Sequence, residues 1–429
     1  MLKAVARFFY SNALRLLSPL YVLRLLWRSI REPLYRRDLP GRFGFGRQRA
    51  ARDCVWIHAV SLGETRAADA LVSAMREVDP GMPLLLTHGT ATGCKAGFEM
   101  MRPGDLQAWL PFDTPGAVKR FLRRHRPSLG VLIETEVWPN LVHYAEREGV
   151  PLVLANARLS ERSLKRAERF RVLLKPAAAG IDQTLAQSED DAFRLRKAGA
   201  RQVRVMGNLK FDMTPPPRLL ARGLDWRQRV TRYVVLAAST RIGEEWPLLE
   251  AWMNLSGPRP LLVLVPRHPQ RFEEVAQLVR ESGLRLRRRS EFSELPVAEA
   301  DDIDVLLGDT VGEMPMYYGM ADVALLGGSF APLGGQNLIE AAACGCPLVM
   351  GPHTFNFAQA AQMAKAAGCA QRVQTLDEGV KAAIALACDG QRNVWVQSAL
   401  AFAAAHRGAA ERMAEAALRL RNSGSRPTE

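Results

Sequence analysis

The chain is short of the residues that disulfide and zinc chemistry need. Its six cysteines, at 54, 94, 344, 346, 369 and 388, form no Cys-x-x-Cys pair beside a histidine, and its seven histidines do not cluster. This excludes a disulfide scaffold, offers no zinc site, and predicts reduced thiols of the cytosolic kind. Cys344-Gly-Cys346 leaves two readings, a soft-metal or redox pair and two small buried hydrophobes; its Ala-rich surroundings favour the second. A clean membrane-spanning run is also missing: Phe8 to Trp27 has the length but carries Arg15, Arg24 and Pro19. The same arginines argue against a cleaved signal peptide, as does the lack of a small-residue cleavage site after them. There is no short-period repeat. With 48% apolar and 24% charged residues, the composition leaves little room for long disordered tracts.

What is present is length and positive charge. At 429 residues the chain exceeds one typical core, so two domains are expected. Net charge is +14, and residues 1–49 hold eleven Lys/Arg against two acids, so most of the excess sits at one end. At about 100° per residue, Lys3, Arg7, Arg24, Arg28 and Arg31 fall on one side of a helix, with Arg15 off it and an aromatic and leucine face opposite. Residues 1–40 are therefore expected to be a membrane-anchoring segment lying on an anionic surface, where each basic residue adds about 1 kcal/mol. A helix docked on its own protein is the alternative. Nucleic-acid binding is disfavoured, because the charge lies beside leucines and aromatics instead of along a groove.

From residue 54 short apolar runs alternate with helical patterns: Val55 to Val60, Pro83 to Thr87, Leu129 to Ile133, Leu152 to Ala155 and Thr184 to Gln187. Asp212-Met-Thr-Pro-Pro-Pro217 interrupts the pattern as a stiff linker. It resumes with Tyr233 to Ala238, Leu261 to Pro266, Val305 to Leu307, Val323 to Gly327 and Pro347 to Met350. The expected fold is α/β: two doubly wound domains, at 41–210 and 229–429, joined by a linker at 211–228 and facing each other across a cleft, with Val394 to Arg421 as a long bracing helix.

Ser61-Leu-Gly-Glu64 follows the first strand. It fits a capping box, in which Ser61 caps a helix and Glu64 reaches back. It also places a carboxylate at the carboxyl end of a strand, where Gly63 admits a ligand and a general base could take a proton from a hydroxyl. The second half repeats the arrangement in Leu326-Gly-Gly-Ser-Phe-Ala-Pro-Leu-Gly-Gly-Gln-Asn-Leu-Ile-Glu340, where glycines and a helix start could wrap a phosphate or a flexible connection could be all there is. Ala238-Ser-Thr-Arg-Ile-Gly-Glu-Glu245 and Pro266-Arg-His-Pro-Gln-Arg271 bring arginines to strand ends, as anion ligands or as solvated loop residues. Ile133-Glu-Thr-Glu-Val-Trp-Pro-Asn140 offers Glu134, Glu136 and Asn140 beside Trp138, either a sugar surface or a tight turn. Asn156-Ala-Arg158 has a similar character. Asp302-Ile-Asp304 reads as solvated charge.

Taken together, these segments resemble the 3-deoxy-D-manno-octulosonic acid (Kdo) transferase family of lipopolysaccharide synthesis. The resemblance rests on Gly41-Arg-Phe-Gly44, Trp56-Ile-His-Ala-Val-Ser-Leu-Gly-Glu64, Thr87-His-Gly-Thr-Ala-Thr-Gly93, Pro111-Phe-Asp113, Glu134-Thr-Glu-Val-Trp-Pro-Asn-Leu141, Asn156-Ala-Arg-Leu-Ser160, Gly207-Asn-Leu-Lys-Phe-Asp212, Pro266-Arg-His-Pro269, Gly308-Asp-Thr310 and Gly351-Pro-His353. It implies a GT-B fold and inverting transfer of Kdo from CMP-Kdo to the lipid A precursor at the cytoplasmic side of the inner membrane, with no cofactor or metal. It further implies Glu64 as the catalytic base. Donor contacts would come from Arg267, His268, Ser239, Thr240, Gly312, Ser329, Gly334, Gly335, Asn337 and Glu340. Acceptor contacts would come from Ser61, Gly63, Thr90, Glu134, Glu136, Trp138, Asn156 and Arg158. The sequence departs from the family at Arg241 and Gln336, where histidines are usual. A GT-B transferase using another nucleotide sugar is the competing enzyme reading.

Overall fold

The computed structural model describes residues 2–294 and 302–423. The chain divides into two compact units, Met1–Met213 with Arg407–Glu429, and Thr214–His406. The first holds a parallel sheet of β1 (Val55–His58), β2 (Leu84–His88), β3 (Leu106–Trp109), β4 (Leu129–Ile133), β5 (Leu152–Ala157), β6 (Gln183–Ala186) and β7 (Val203–Val205) in the order β3-β2-β1-β4-β5-β6-β7. The second holds β8 (Val234–Thr240), β9 (Leu261–Pro266), β10 (Leu286–Arg288), β11 (Val305–Leu307), β12 (Val323–Leu326), β13 (Leu348–Met350) and β14 (Ala370–Arg372) in the order β10-β11-β9-β8-β12-β13-β14. All pairings are parallel, with helices covering the sheets. Strand order reverses between β1 and β4 in the first sheet and between β8 and β12 in the second, where β11 is also inserted between β9 and β10. At each reversal the loops leaving two carboxyl ends diverge and open a crevice.

Two boundaries differ from expectation. Residues 217–228, assigned to the linker, belong to the helix Pro217–Arg229: Pro217 sits at its start, where the missing N–H costs nothing, and Trp226 is fully buried. Gly223 lets this helix lie against the Met316 carbonyl, where a Cβ would collide.

The bracing helix is in fact two, Arg392–Ala405 and Ala409–Asn422, broken at Gly408 with φ +87°. Asp212 holds the break by accepting the N–H groups of Gly408 (2.5 Å) and Ala410 (2.8 Å), and Arg412 donates to the Met206 carbonyl (2.8 Å). Met413, Ala417 and Leu418 then join a core with Leu71, Met75, Leu86 and Val131. Burial of this apolar face ties residues 409–422 to the first unit, not to the 229–429 domain.

The basic N-terminal segment is the helix Leu2–Arg28. One face docks: Tyr10 donates to the Asp113 carboxylate (2.9 Å), Ser11 to the Asn140 side-chain oxygen (3.1 Å), and Leu25 is buried with Tyr35 and Ala91. Asp113 also accepts the N–H groups of Asn140 and Leu141, so Pro111-Phe-Asp113 and Asn140 anchor the helix. The opposite face leaves Leu2, Val5, Phe9, Leu16, Leu20, Leu23 and Trp27 exposed in one stripe. Arg28 stacks on Tyr35 and pairs with Glu32, so part of the basic side serves the docking. Among the described residues no helix is long and apolar enough to cross a membrane.

Candidate active site

In the first unit β1 ends at His58, and its loop runs into the helix Leu62–Val78. Half of the expected capping box forms: Ser61 Oγ accepts the Glu64 N–H (3.4 Å) and donates to Glu64 Oε1 (2.8 Å), but Glu64 Oε2 accepts the N–H of Val60 (2.8 Å), one residue before the cap, instead of that of Ser61. These bonds orient a half-buried carboxylate at the strand-order reversal, so the capping and ligand-facing readings of the motif are compatible. Burial raises the Glu64 pKa; the Val60 and Ser61 hydrogen bonds oppose that, the Glu134 charge adds to it, and Lys210 opposes it. A Cβ on Gly63 would meet nothing within 4 Å, so the loop beside the carboxylate is open. Thr90 caps the helix Ala91–Gly97 and donates to the Val60 carbonyl (2.9 Å), fastening the β2 loop to the β1 loop.

The loop after β4 brings two further carboxylates. Glu134 has left-handed backbone, φ +64°, and is clamped between Arg158 (2.9 Å) and Lys210 (3.3 Å). Glu136 accepts the Trp138 indole N–H (2.7 Å), and burial, with the charges of Glu64 and Glu134 adding, pushes its pKa up to about 7. His58 Nε2 lies 3.9 Å from Glu136. Burial lowers His58 to about 3, so the ring is neutral. Its Nδ1 lies between the Thr87 hydroxyl (3.0 Å) and the Thr87 carbonyl (3.2 Å), and its Nε2 faces Glu136. Asn156, fully buried with φ +52°, accepts the Leu209 N–H (3.0 Å) and so positions the segment that carries Lys210.

The second unit builds the opposite kind of crevice. Ser239 takes φ +58° at the end of β8, and the Thr240 carbonyl accepts the Arg267 N–H (2.9 Å). The His268 pKa is lowered by burial and by the charges of Arg241, Arg267 and Arg271, so this rim is cationic. Arg271 is committed to Glu245 (2.5 Å) and Glu274 (2.7 Å), which makes it a brace for Pro266–Arg271 and not an anion ligand. Buried Glu244 shapes the glycine loop: its two oxygens accept the N–H groups of Arg241, Gly328, Phe330 and Ala331.

Gly334 and Gly335 have φ +89° and +74°, and a Cβ at Gly334 would run into Asn356. Ser329 is fully buried, with its hydroxyl spent on the Leu326 carbonyl and the Gly351 N–H (2.8 Å). Asn337 accepts the Ile339 N–H (3.2 Å) at the start of the short helix Leu338–Ala343, on which Glu340 lies. Gly312, φ +92°, stands in an open loop after β11. Cys344 and Cys346 are buried, and burial raises both thiols.

Residues 37–213 match the model of the 3-deoxy-D-manno-octulosonic-acid transferase (kdotransferase) family. Along 95% of this chain and 97% of the other, the sequence is 48% identical to the 3-deoxy-D-manno-octulosonic acid transferase of Bordetella pertussis. The chain belongs to the Kdo transferase family. The Haemophilus influenzae transferase is 35% identical over 83% of this chain and 84% of its own. The solved structure of Anabaena HepE in complex with UDP superposes with a TM-score of 0.59 over 86% of this chain and 100% of that one, at 13% identity, a likeness of fold. Kdo transferases are glycosyltransferases, and the two units here are those of a GT-B fold. His58, Lys210 and Glu244 are functional candidates that residue patterns did not single out. Lys210 lies inside Gly207–Asp212, a motif quoted only for its resemblance, and Glu244 lies inside Ala238–Glu245, a stretch read for its arginine.

Proposed function

We propose that the protein transfers Kdo from CMP-Kdo to the lipid A precursor with inversion at the anomeric carbon. The supporting observation is the Glu64 carboxylate: held by the Ser61 hydroxyl and the Val60 N–H at the strand-order reversal, with its pKa raised by burial, which strengthens it as a base. The acceptor hydroxyl attacks the anomeric carbon, the bond from that carbon to the CMP phosphate oxygen breaks, CMP departs with the electron pair, and Glu64 takes the hydroxyl proton. Arg267, Arg241 and the glycine loop organised by Glu244 offer positive charge and backbone N–H groups to the leaving phosphate. No step uses a metal ion.

The Glu64→Ala protein should bind CMP like the wild type and form no Kdo-extended product by mass analysis of a reaction with CMP-Kdo and lipid A precursor. Turnover close to wild type would remove Glu64 from this role. The exposed stripe of the N-terminal helix suits an anionic membrane surface on the cytoplasmic side. Deleting residues 1–31 should therefore abolish cosedimentation with anionic vesicles, and undiminished cosedimentation would refute the anchor.

A further inference from the structure

The motif Gly41-Arg-Phe-Gly44 has no part in the scheme above, yet it borders a cavity lined by three arginines and one acid. This cavity, about 440 Å³, is lined by Arg36, Arg37, Arg47, Phe45, Gln107 and Trp109, among others. That size falls within the range of roughly 300–1,000 Å³ usual for small-molecule sites. Arg37 and Arg47 are exposed, and neither has an acidic partner among the described residues. The one acid in the lining, Asp38, accepts the Gly41 N–H (3.2 Å) within its own turn.

Arg42 is only 2% exposed, and its Nε and Nη2 have no hydrogen-bond partner. Its guanidinium stacks 4.0 Å from the centre of the Trp109 ring, and Trp109 is fixed by its N–H bond to the Arg37 carbonyl (2.7 Å). A buried cation without a counter-charge costs stability, and an anion beside Trp109 would offset that cost. From the cavity wall Gln107 reaches His88 Nε2 (2.9 Å), and His88 Nδ1 faces the Ala59 carbonyl (3.1 Å) and Thr65 Oγ1 (3.4 Å).

We propose that this cavity seats a phosphomonoester on the headgroup of the lipid acceptor, with Arg37 and Arg47 gripping the phosphate and Arg42 supplying fixed positive charge behind Trp109. The proposal rests on the acceptor reading given above. Two features favour an amphiphile's headgroup over free phosphate. Phe45, 57% exposed, lines the cavity. Arg36 donates to Ser29 (2.6 Å), tethering the cavity wall to the end of the N-terminal helix, where the apolar stripe finishes at Trp27.

The test is equilibrium binding, with no donor present, of three probes: a deacylated disaccharide headgroup carrying its phosphates, its dephosphorylated counterpart, and inorganic phosphate. Each is measured against wild type and the double variant Arg37→Ala/Arg47→Ala, both checked for equal thermal unfolding. Wild type should prefer the phosphorylated headgroup about tenfold or more, the scale of one charge-assisted hydrogen bond. The double variant should lose that preference and keep the affinity for the dephosphorylated probe. A preference that survives in the variant, no preference in wild type, or inorganic phosphate binding as tightly as the headgroup would overturn the assignment. Because nothing is transferred, the two readings separate. Wild type that binds the phosphorylated headgroup but moves no Kdo would remove the proposed function and leave the cavity assigned. Wild type that moves Kdo without the preference would remove only the cavity.

Discussion

The two units each build a seven-stranded parallel sheet, in different strand orders, and equip its carboxyl edge with opposite charge. At the reversal of the first sheet stand Glu64, Glu134 and Glu136, with Lys210 and Arg158 balancing one of the three. At the carboxyl edge of the second stand Arg241, Arg267 and His268 beside a loop of glycines, and buried Glu244 is turned inward on backbone N–H groups. Two parallel sheets thus present carboxylates at one carboxyl edge and cations at the other. The difference lies in which side chains the loops beyond the strands carry, and left-handed backbone at Glu134, Asn156 and Ser239 aims those loops.

The sharpest way to break this contrast is Glu64→Gln, which keeps the capping geometry and removes the base. Its kcat should fall by about a hundred- to ten-thousandfold while CMP affinity stays unchanged in calorimetry. Next in size, Arg267→Ala takes a cation from the second crevice and should weaken CMP binding about tenfold or more, with the acceptor KM unmoved. If acceptor KM rises instead, the division of labour between the halves is wrong.

The smallest effect sharpens the first crevice alone. Lys210 lowers the Glu64 pKa, so Lys210→Met should raise it further. Glu64 works ionised, and kcat declines as pH falls through its pKa. The acid limb of the kcat profile should therefore move to higher pH in the variant and stay in place for Arg267→Ala. An acid limb that does not move would detach Lys210 from the base.

How much of this was legible depended on burial. All ten inner strands were readable as apolar runs because both their faces are covered. The four strands that were not, β3, β7, β10 and β14, are the four sheet edges, and their sequences Leu-Gln-Ala-Trp, Val-Arg-Val, Leu-Arg-Arg and Ala-Gln-Arg carry polar residues where one side meets water. In the site, Ser61 and Glu64 announce themselves by spacing within one helical turn. Lys210 cannot, because its partner Glu134 lies 76 positions away and only the β5 loop, through Asn156, brings them together. Likewise the break at Gly408 is invisible in an Ala-rich stretch until Asp212 is seen to cap it.

The fourteen-residue helix Ala409–Asn422 has a consequence for synthesis. It fills the interior of the half that leaves the ribosome first, so Leu71 and Met75 wait for partners translated more than three hundred codons later. The second unit can close its own interior while still tethered. The half bearing the base reaches its finished state only when the far end of the chain has returned to it.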